Sequence, residues 1–437
     1  MNNLKYSNTV LINLIIASII PFLIWGPFFP DLIVSISSLF FLYYVFKNNN
    51  FYYFNIIPFI IFLLFCIISI LLSLESEDIS LSIKSSLFYF RIGVFSCFVW
   101  YLIDKDKSVL TYFYYALILC FSALIIDGYF QYFTGVNILG FKIYATRVSS
   151  FFGDELIMGS YLSRLFPLLF ALFLIKQKQK FEIYFIGLLF ILVDVLIFMS
   201  GERSAFFFLN LSTVFIIILI KEYQKFRLVT FIIAIICILV LSLNSSKLSD
   251  RMFKIPAKNM GLIKSTNNPT INSDTESTIQ ATIFTPVHDG LIRTAYNMFK
   301  ERPLLGHGPK MFRVICKDEK YAVGTTSCAT HPHNFYMQLL AETGIIGFSI
   351  LSSVLGYVFY SALRQFKSII FRQKRPLTDY QVCLLAGIFI TVWPFSPNGN
   401  FFNNWLMIVY SLPVGFYLQS IYSKKKIIFF KKSFPIV

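Results

Sequence analysis

Residues 182–220 read EIYFIGLLFILVDVLIFMSGERSAFFFLNLSTVFIIILI, and this stretch decides the fold. Two runs, 182–200 and 204–220, are apolar all round and meet at the short polar turn Gly201-Glu202-Arg203. A helix of roughly 20 apolar residues crosses about 30 Å of hydrocarbon. The pair therefore reads as two membrane-spanning helices joined by a tight turn at one face of a bilayer. Composition agrees over the whole chain, with 57% hydrophobic and only 14% charged residues. A soluble protein carries about a quarter charged.

Working outward with the same ruler places spans near 10–29, 31–46, 55–74, 80–103, 108–133, 155–175, 182–200, 204–220, 228–243, 335–363, 378–396 and 402–422. The expectation is an all-α integral membrane protein of about twelve transmembrane helices, with one long extracytoplasmic loop between spans nine and ten. Three regions follow: 1–243 with spans one to nine, 244–334 as the loop, and 335–437 with spans ten to twelve and a basic tail. Within the loop, 244–285 reads as loosely ordered, 289–302 as helical, and ERPLLGHGPKMF as a turn.

The connections alternate in charge. One set holds Lys5, Lys47, Asp104 to Lys107, Lys176 to Lys180, Lys221 with Lys225 and Arg227, Arg364 to Arg375, and Lys424 to Lys432. The other holds Pro27 to Asp31, Glu75 to Asp78, Lys142 with Arg147, Gly201 to Arg203, the long loop and Pro394 to Asn404. By the positive-inside rule the first set and both termini face the cytoplasm. The net charge of +16 is then a collar against anionic lipid and not a nucleic-acid site.

All four histidines, His288, His307, His331 and His333, fall in the long loop. Histidine is the side chain that titrates near neutrality, which makes this loop the candidate site of proton chemistry. Asn334 after His333 either orients that ring or caps the helix starting near Phe335. Arg91 and Arg164 fall inside spans, where a charge faces a cavity or a partner. They pair with Asp127 or Asp194, or they line an outward cationic cavity with Arg147, Arg203 and Arg293. Guanidinium groups match phosphate oxygens in planar geometry. Cys316 and Cys328 are the loop's two cysteines and are expected to bridge in an oxidising exterior, two free thiols being the alternative. Gly344 and Gly347 are structural, allowing close packing or a bend.

Four segments then carry a family resemblance in order: RVSSFFGDELIMGSYLSRLFPL from Arg147, SGERSAFF from Ser200, LIRTAYNMFKERPLLGHGPKMF from Leu291, and HNFYMQLLAETGIIG from His333. Together they resemble the O-antigen ligase and polymerase superfamily of membrane glycosyltransferases with a GT-C-like fold. The resemblance implies transfer of a glycan from an undecaprenyl diphosphate carrier to an acceptor hydroxyl, on lipid A-core for a ligase or on another carrier-linked unit for a polymerase. His333, Arg293 and Arg203 would be catalytic, with Arg147, Arg91, Arg164, His331 and Asn334 binding substrate. The bacterial inner membrane is the implied location, with the active site periplasmic and neither metal nor cofactor. Glu202, directly before Arg203, departs from the small or hydroxyl residue expected there and puts the role of Arg203 in question. A zinc site at His331, His333, His307 and Cys328 lacks standard ligand spacing, and a transporter would show related halves.

Overall fold

The computed structural model describes residues 2–176, 179–259, 285–324 and 327–424. Among them there is no β-strand, only two isolated antiparallel bridges, Val136 with Lys142 and Tyr144 with Arg147. A bilayer offers no water to unpaired peptide groups, so a chain this apolar must satisfy them within helices.

The first half contains α1 (Asn2–Ala17), α2 (Ile19–Trp25), α3 (Phe28–Lys47), α4 (Ile57–Leu74), α5 (Ile79–Ser86), α6 (Phe90–Lys105) and α7 (Ser108–Thr134). Then come α8 (Met158–Ile175), α9 (Lys180–Met199), α10 (Arg203–Leu219) and α11 (Gln224–Asn244). The loop region contributes α12 (Ser246–Ser249), α13 (Ile255–Asn259), α14 (Pro286–Glu301) and α15 (Phe312–Ile315). The chain closes with α16 (Phe335–Ile370), α17 (Asp379–Thr391) and α18 (Asn404–Tyr422). Nine segments among the described residues are long and apolar enough to cross a membrane. The other three expected positions hold shorter apolar helices, Thr9–Trp25, Arg203–Leu219 and Asp379–Thr391.

Small and ring residues set the packing. A Cβ on Gly415 of α18 would come within 2.7 Å of the Ser96 carbonyl of α6, so these two helices are in backbone contact. Two of the span charges, Arg91 and Asp194, form ion pairs with partners other than those expected, while Asp127 is held by neutral donors. Arg91 binds Asp31, and Asp127 accepts from the Ser150 hydroxyl at 2.6 Å and the Ile138 N–H at 2.9 Å. Asp194 of α9 takes both terminal nitrogens of Arg227 at 2.8 and 3.1 Å, and Arg227 also donates to Thr213 at 2.7 Å. Arg227 therefore leaves the cytoplasmic collar where its sequence position put it. It is 0% exposed and ties α9, α10 and α11 together.

The loop is more ordered near α11 than expected. Leu248 and Met252 are buried, and Phe253 packs on Phe198 with ring centroids 5.7 Å apart. Residues 260–284, the rest of the stretch read as loosely ordered, lie outside the described residues. On the other side Leu291, Ala295 and Met298 of α14 form a separate small core with Phe312, Ile315, Cys316, Tyr321 and Ala341. Cys316 and Cys328 are disulfide-bonded at its edge.

Candidate functional site

The site begins with a helix cap. Asn334 Oδ1 accepts from the N–H groups of Tyr336 and Met337 at 3.0 and 3.1 Å, starting α16 in the way expected of an N-cap. Its Nδ2 donates to the Pro394 carbonyl at 2.7 Å, so the side chain is fully used in structure.

Just before the cap, His333 holds a left-handed backbone, φ +55°, a strained state for a residue with a Cβ. The Asn398 N–H donates to the His333 carbonyl at 2.8 Å and holds it there. The His333 ring lies 4.1 Å, centroid to centroid, from His331 and 5.3 Å from His288. Three of the four histidines thus converge from two separate segments.

Their hydrogen bonds separate their roles. His331 Nε2 meets the Asn398 carbonyl at 3.3 Å, and its Nδ1 meets the Thr330 hydroxyl at 2.9 Å. A carbonyl can only accept, so His331 carries its proton on Nε2 and is saturated as a neutral ring. His288 Nδ1 meets the Thr285 hydroxyl at 2.9 Å. No side chain among the described residues hydrogen-bonds the His333 ring, which faces only the Asn398 carbonyl. Burial pushes all three below the usual imidazole range, His331 to about 3, and a positive charge on His333 further depresses its two neighbours. All three are neutral at pH 7. His307 stands apart, with Nε2 on the Met298 carbonyl at 3.0 Å and its ring on Tyr321.

The arginines divide into several groups. Arg203 opens α10 with an exposed side chain and makes no hydrogen bond or ion pair among the described residues; its charge reaches His288. Arg147 and Arg251 grip the turn before it: Arg147 donates to the Ser200 and Leu156 carbonyls at 3.2 and 2.8 Å, and Arg251 to the Gly201 carbonyl at 3.0 Å. Gly201 has φ +64°, and a Cβ there would lie 2.7 Å from Arg251 Nε and 3.1 Å from Arg147 Cγ, so this left-handed turn held between the two arginine side chains suits glycine. Burial lowers the pKa of both; the Glu202 charge opposes this, more strongly at Arg147 than Arg203 adds to it, while at Arg251 the charges of Arg147 and Arg203 outweigh Glu202. Three guanidinium groups around one carboxylate leave an excess of positive charge, where an anion would be welcome.

Glu202 does not neutralise this group by pairing with Arg203. Its carboxylate accepts from the N–H groups of Gly159 and Ser160 at 2.7 and 3.0 Å and from the Ser160 hydroxyl at 2.7 Å. It therefore closes the N-terminus of α8, where a negative charge suits the helix dipole.

Arg164 does reach the histidines, through one intermediary. Its Nη2 donates to Asn398 Oδ1 at 3.1 Å while its guanidinium stacks on Phe208 and Tyr410 at 3.9 and 4.5 Å. Arg91 is engaged by Asp31, away from this network. Arg293 lies on the exposed face of α14 in an ion pair with Asp289 at 2.8 Å.

Gly344 explains how the loop meets α16. Its φ of +63° interrupts the helix, and a Cβ would lie 2.2 Å from the Leu304 carbonyl. The break frees peptide groups that the Pro303–Gly308 turn then satisfies. His307 and Gly308 donate to the Ala341 and Glu342 carbonyls at 3.0 and 2.8 Å, and Ile345 donates to the Pro303 carbonyl at 2.9 Å. Gly347 sits where Phe65 of α4 approaches, 3.4 Å from an added Cβ.

Two participants, Asn398 and Arg251, were not singled out from sequence, and a third, His288, was placed only as one of the four loop histidines. His288 read as a loop residue, although Thr285-Pro286 ahead of it is a helix-start signal that would have fixed its place. Asn398 lay in a polar connection, and Arg251 in the stretch read as loose. Nothing local marks either.

The structure thus defines a multi-pass, all-helical membrane protein, among whose described residues three histidines converge. Residues 186–352 match the family model described as O-antigen ligase. That match, which contains Arg203, Arg293 and His333, supports the O-antigen ligase and polymerase superfamily, whose members are glycosyltransferase-like enzymes using a lipid-linked glycan and an acceptor. No curated protein matches the chain.

Proposed function

We propose that the protein is an O-antigen ligase-type glycosyltransferase, moving a glycan from undecaprenyl diphosphate to an acceptor hydroxyl at the periplasmic face of the inner membrane, with lipid A-core as acceptor. The carrying observation is His333, a neutral ring with no side-chain hydrogen bond among the described residues, set between two other neutral rings, one of which, His288, feels the charge of Arg203.

A sugar hydroxyl is a poor nucleophile, and a neutral imidazole is a suitable base for its proton. As that proton passes to His333, the acceptor oxygen bonds to the anomeric carbon. The bond from that carbon to the diphosphate breaks, and the diphosphate leaves with the electron pair. Direct displacement inverts the anomeric centre. Guanidinium groups stabilise the departing charge. Arg203 is available for this as it stands. Arg293 must leave Asp289, an exposed i,i+4 pair of a kind worth only about 0.3–0.5 kcal/mol. A diphosphate competes with that easily.

Deletion in the native host with glycan analysis tests the assignment. Long carrier-linked chains lacking surface attachment are expected. Single unextended repeat units would replace it with a polymerase, and a defect confined to solute uptake would reject both.

A further inference from the structure

Asn398 lies in the connection between α17 and α18 and touches the histidine site through its peptide. Its N–H donates to the His333 carbonyl at 2.8 Å, and its carbonyl accepts from His331 Nε2 at 3.3 Å. The same carbonyl faces the His333 ring. Its side chain looks the other way, to Arg164, whose Nη2 donates to Oδ1 at 3.1 Å. Asn398 Nδ2 is buried and has no hydrogen-bond partner among the described residues. Among the described residues Arg164 is thus the only side-chain anchor of this carboxamide.

Arg164 is itself firmly held. It is 4% exposed, sandwiched by Phe208 and Tyr410, and bonded through Nη1 to the Ile390 carbonyl. No carboxylate pairs with it among the described residues. A buried guanidinium is costly to keep without a counter-ion. Here its hydrogen bonds go to the last turn of α17, at Ile390 and Thr391, and to Asn398 in the connection that follows.

The geometry points to Arg164 and Asn398 as a positioning pair: the guanidinium fixes the Asn398 carboxamide, and the Asn398 peptide locks His331 as the Nε2–H tautomer and aims the basic nitrogen of His333 at the acceptor hydroxyl. The inference rests on His333 being the base, and neither member of the pair touches the reacting atoms. A general base needs a further group to orient its ring. A carboxylate often serves. Here a peptide carbonyl does so without placing a negative charge next to a departing diphosphate.

The test uses the full chain in lipid nanodiscs with 15N-labelled histidine. With four histidines in the sequence, single His→Gln variants assign every ring. The wild type is expected to show His331 as a neutral Nε2–H tautomer at pH 7. Asn398→Leu and Arg164→Met should give His331 a mixture of tautomers. Both should lower glycan transfer at least about tenfold, part of the ~10²–10⁴-fold that a positioned base contributes. Asn398→Asp keeps an acceptor for Arg164 and should restore the tautomer and most of the transfer. A wild-type tautomer in folded Asn398→Leu would overturn the pair, as would full transfer with the tautomer lost. If the tautomers follow the variants while even the wild type transfers no glycan, the pairing stands and the transferase reading fails.

Discussion

Glu202 directs its carboxylate to the backbone of Gly159 and Ser160, at 2.7 and 3.0 Å, and leaves its neighbour Arg203 without a partner among the described residues. The acidic residue that made Arg203 doubtful in the sequence is a helix cap for α8. Glu202→Ala is expected to destabilise the protein by about 1–2 kcal/mol. Arg203→Ala should leave thermal stability unchanged and abolish transfer. Wild-type transfer by Arg203→Ala in membranes would reject a donor-binding role for it.

His333→Ala should insert and fold normally yet lose transfer by about 10²-fold or more. His307→Ala should do the reverse, loosening the small core around Tyr321 while slowing transfer little. Thermal stability in detergent, read beside glycan transfer, separates the two.

The pH dependence has a defined sign. The His333 pKa lies below the ordinary value, so the base stays unprotonated, and transfer persists, down to a pH below about 6.5. The same sign governs stability. Each buried neutral ring binds its proton more readily in the unfolded chain, so its stabilisation is present above about 6.5 and is lost as pH falls. For His331 that loss extends toward about 3, and His331→Gln should flatten the acid side of a stability profile. An activity midpoint above 7 would contradict the burial of His333.

Gly344→Ala forces a Cβ against the Leu304 carbonyl at a φ of +63°. A cost of at least about 1–3 kcal/mol is expected from the backbone strain alone. Gly356→Ala, with nothing within 4 Å of the added carbon, is the matched control. Equal melting temperatures for the two variants would show that the kink is dispensable.

Breaking the Asp194–Arg227 pair should be severe, about 3–5 kcal/mol for Arg227→Met, since an uncompensated carboxylate stays buried between helices. Adding Asp194→Leu should recover much of the loss. Thermal melts of the single and double variants decide it.

The spans were legible because hydrophobic length is a local property, written into runs such as 182–200 and 204–220. The Asn334 cap and the Gly344 break were legible for the same reason, since each depends on one residue type at one position. Charge partners were not. Arg91 meets Asp31 across 60 residues, and Arg164 meets Asn398 across 234. Such pairs depend on how helices cross, which spacing along the chain does not encode. His288 illustrates the boundary: its helix start could be read, but its arrival beside His333 could not.

The packing of the three imidazoles sets a limit on charge storage. Their centroids are 4.1 and 5.3 Å apart in sequence from His331 through His333 to His288, and a charge on His333 suppresses protonation of both others. On that repulsion the trio is expected to hold one proton at a time. If His333 takes a proton from each acceptor, that proton must escape to solvent before the next acceptor can be engaged, and its exit becomes an obligatory step of the proposed cycle alongside the departure of the leaving group.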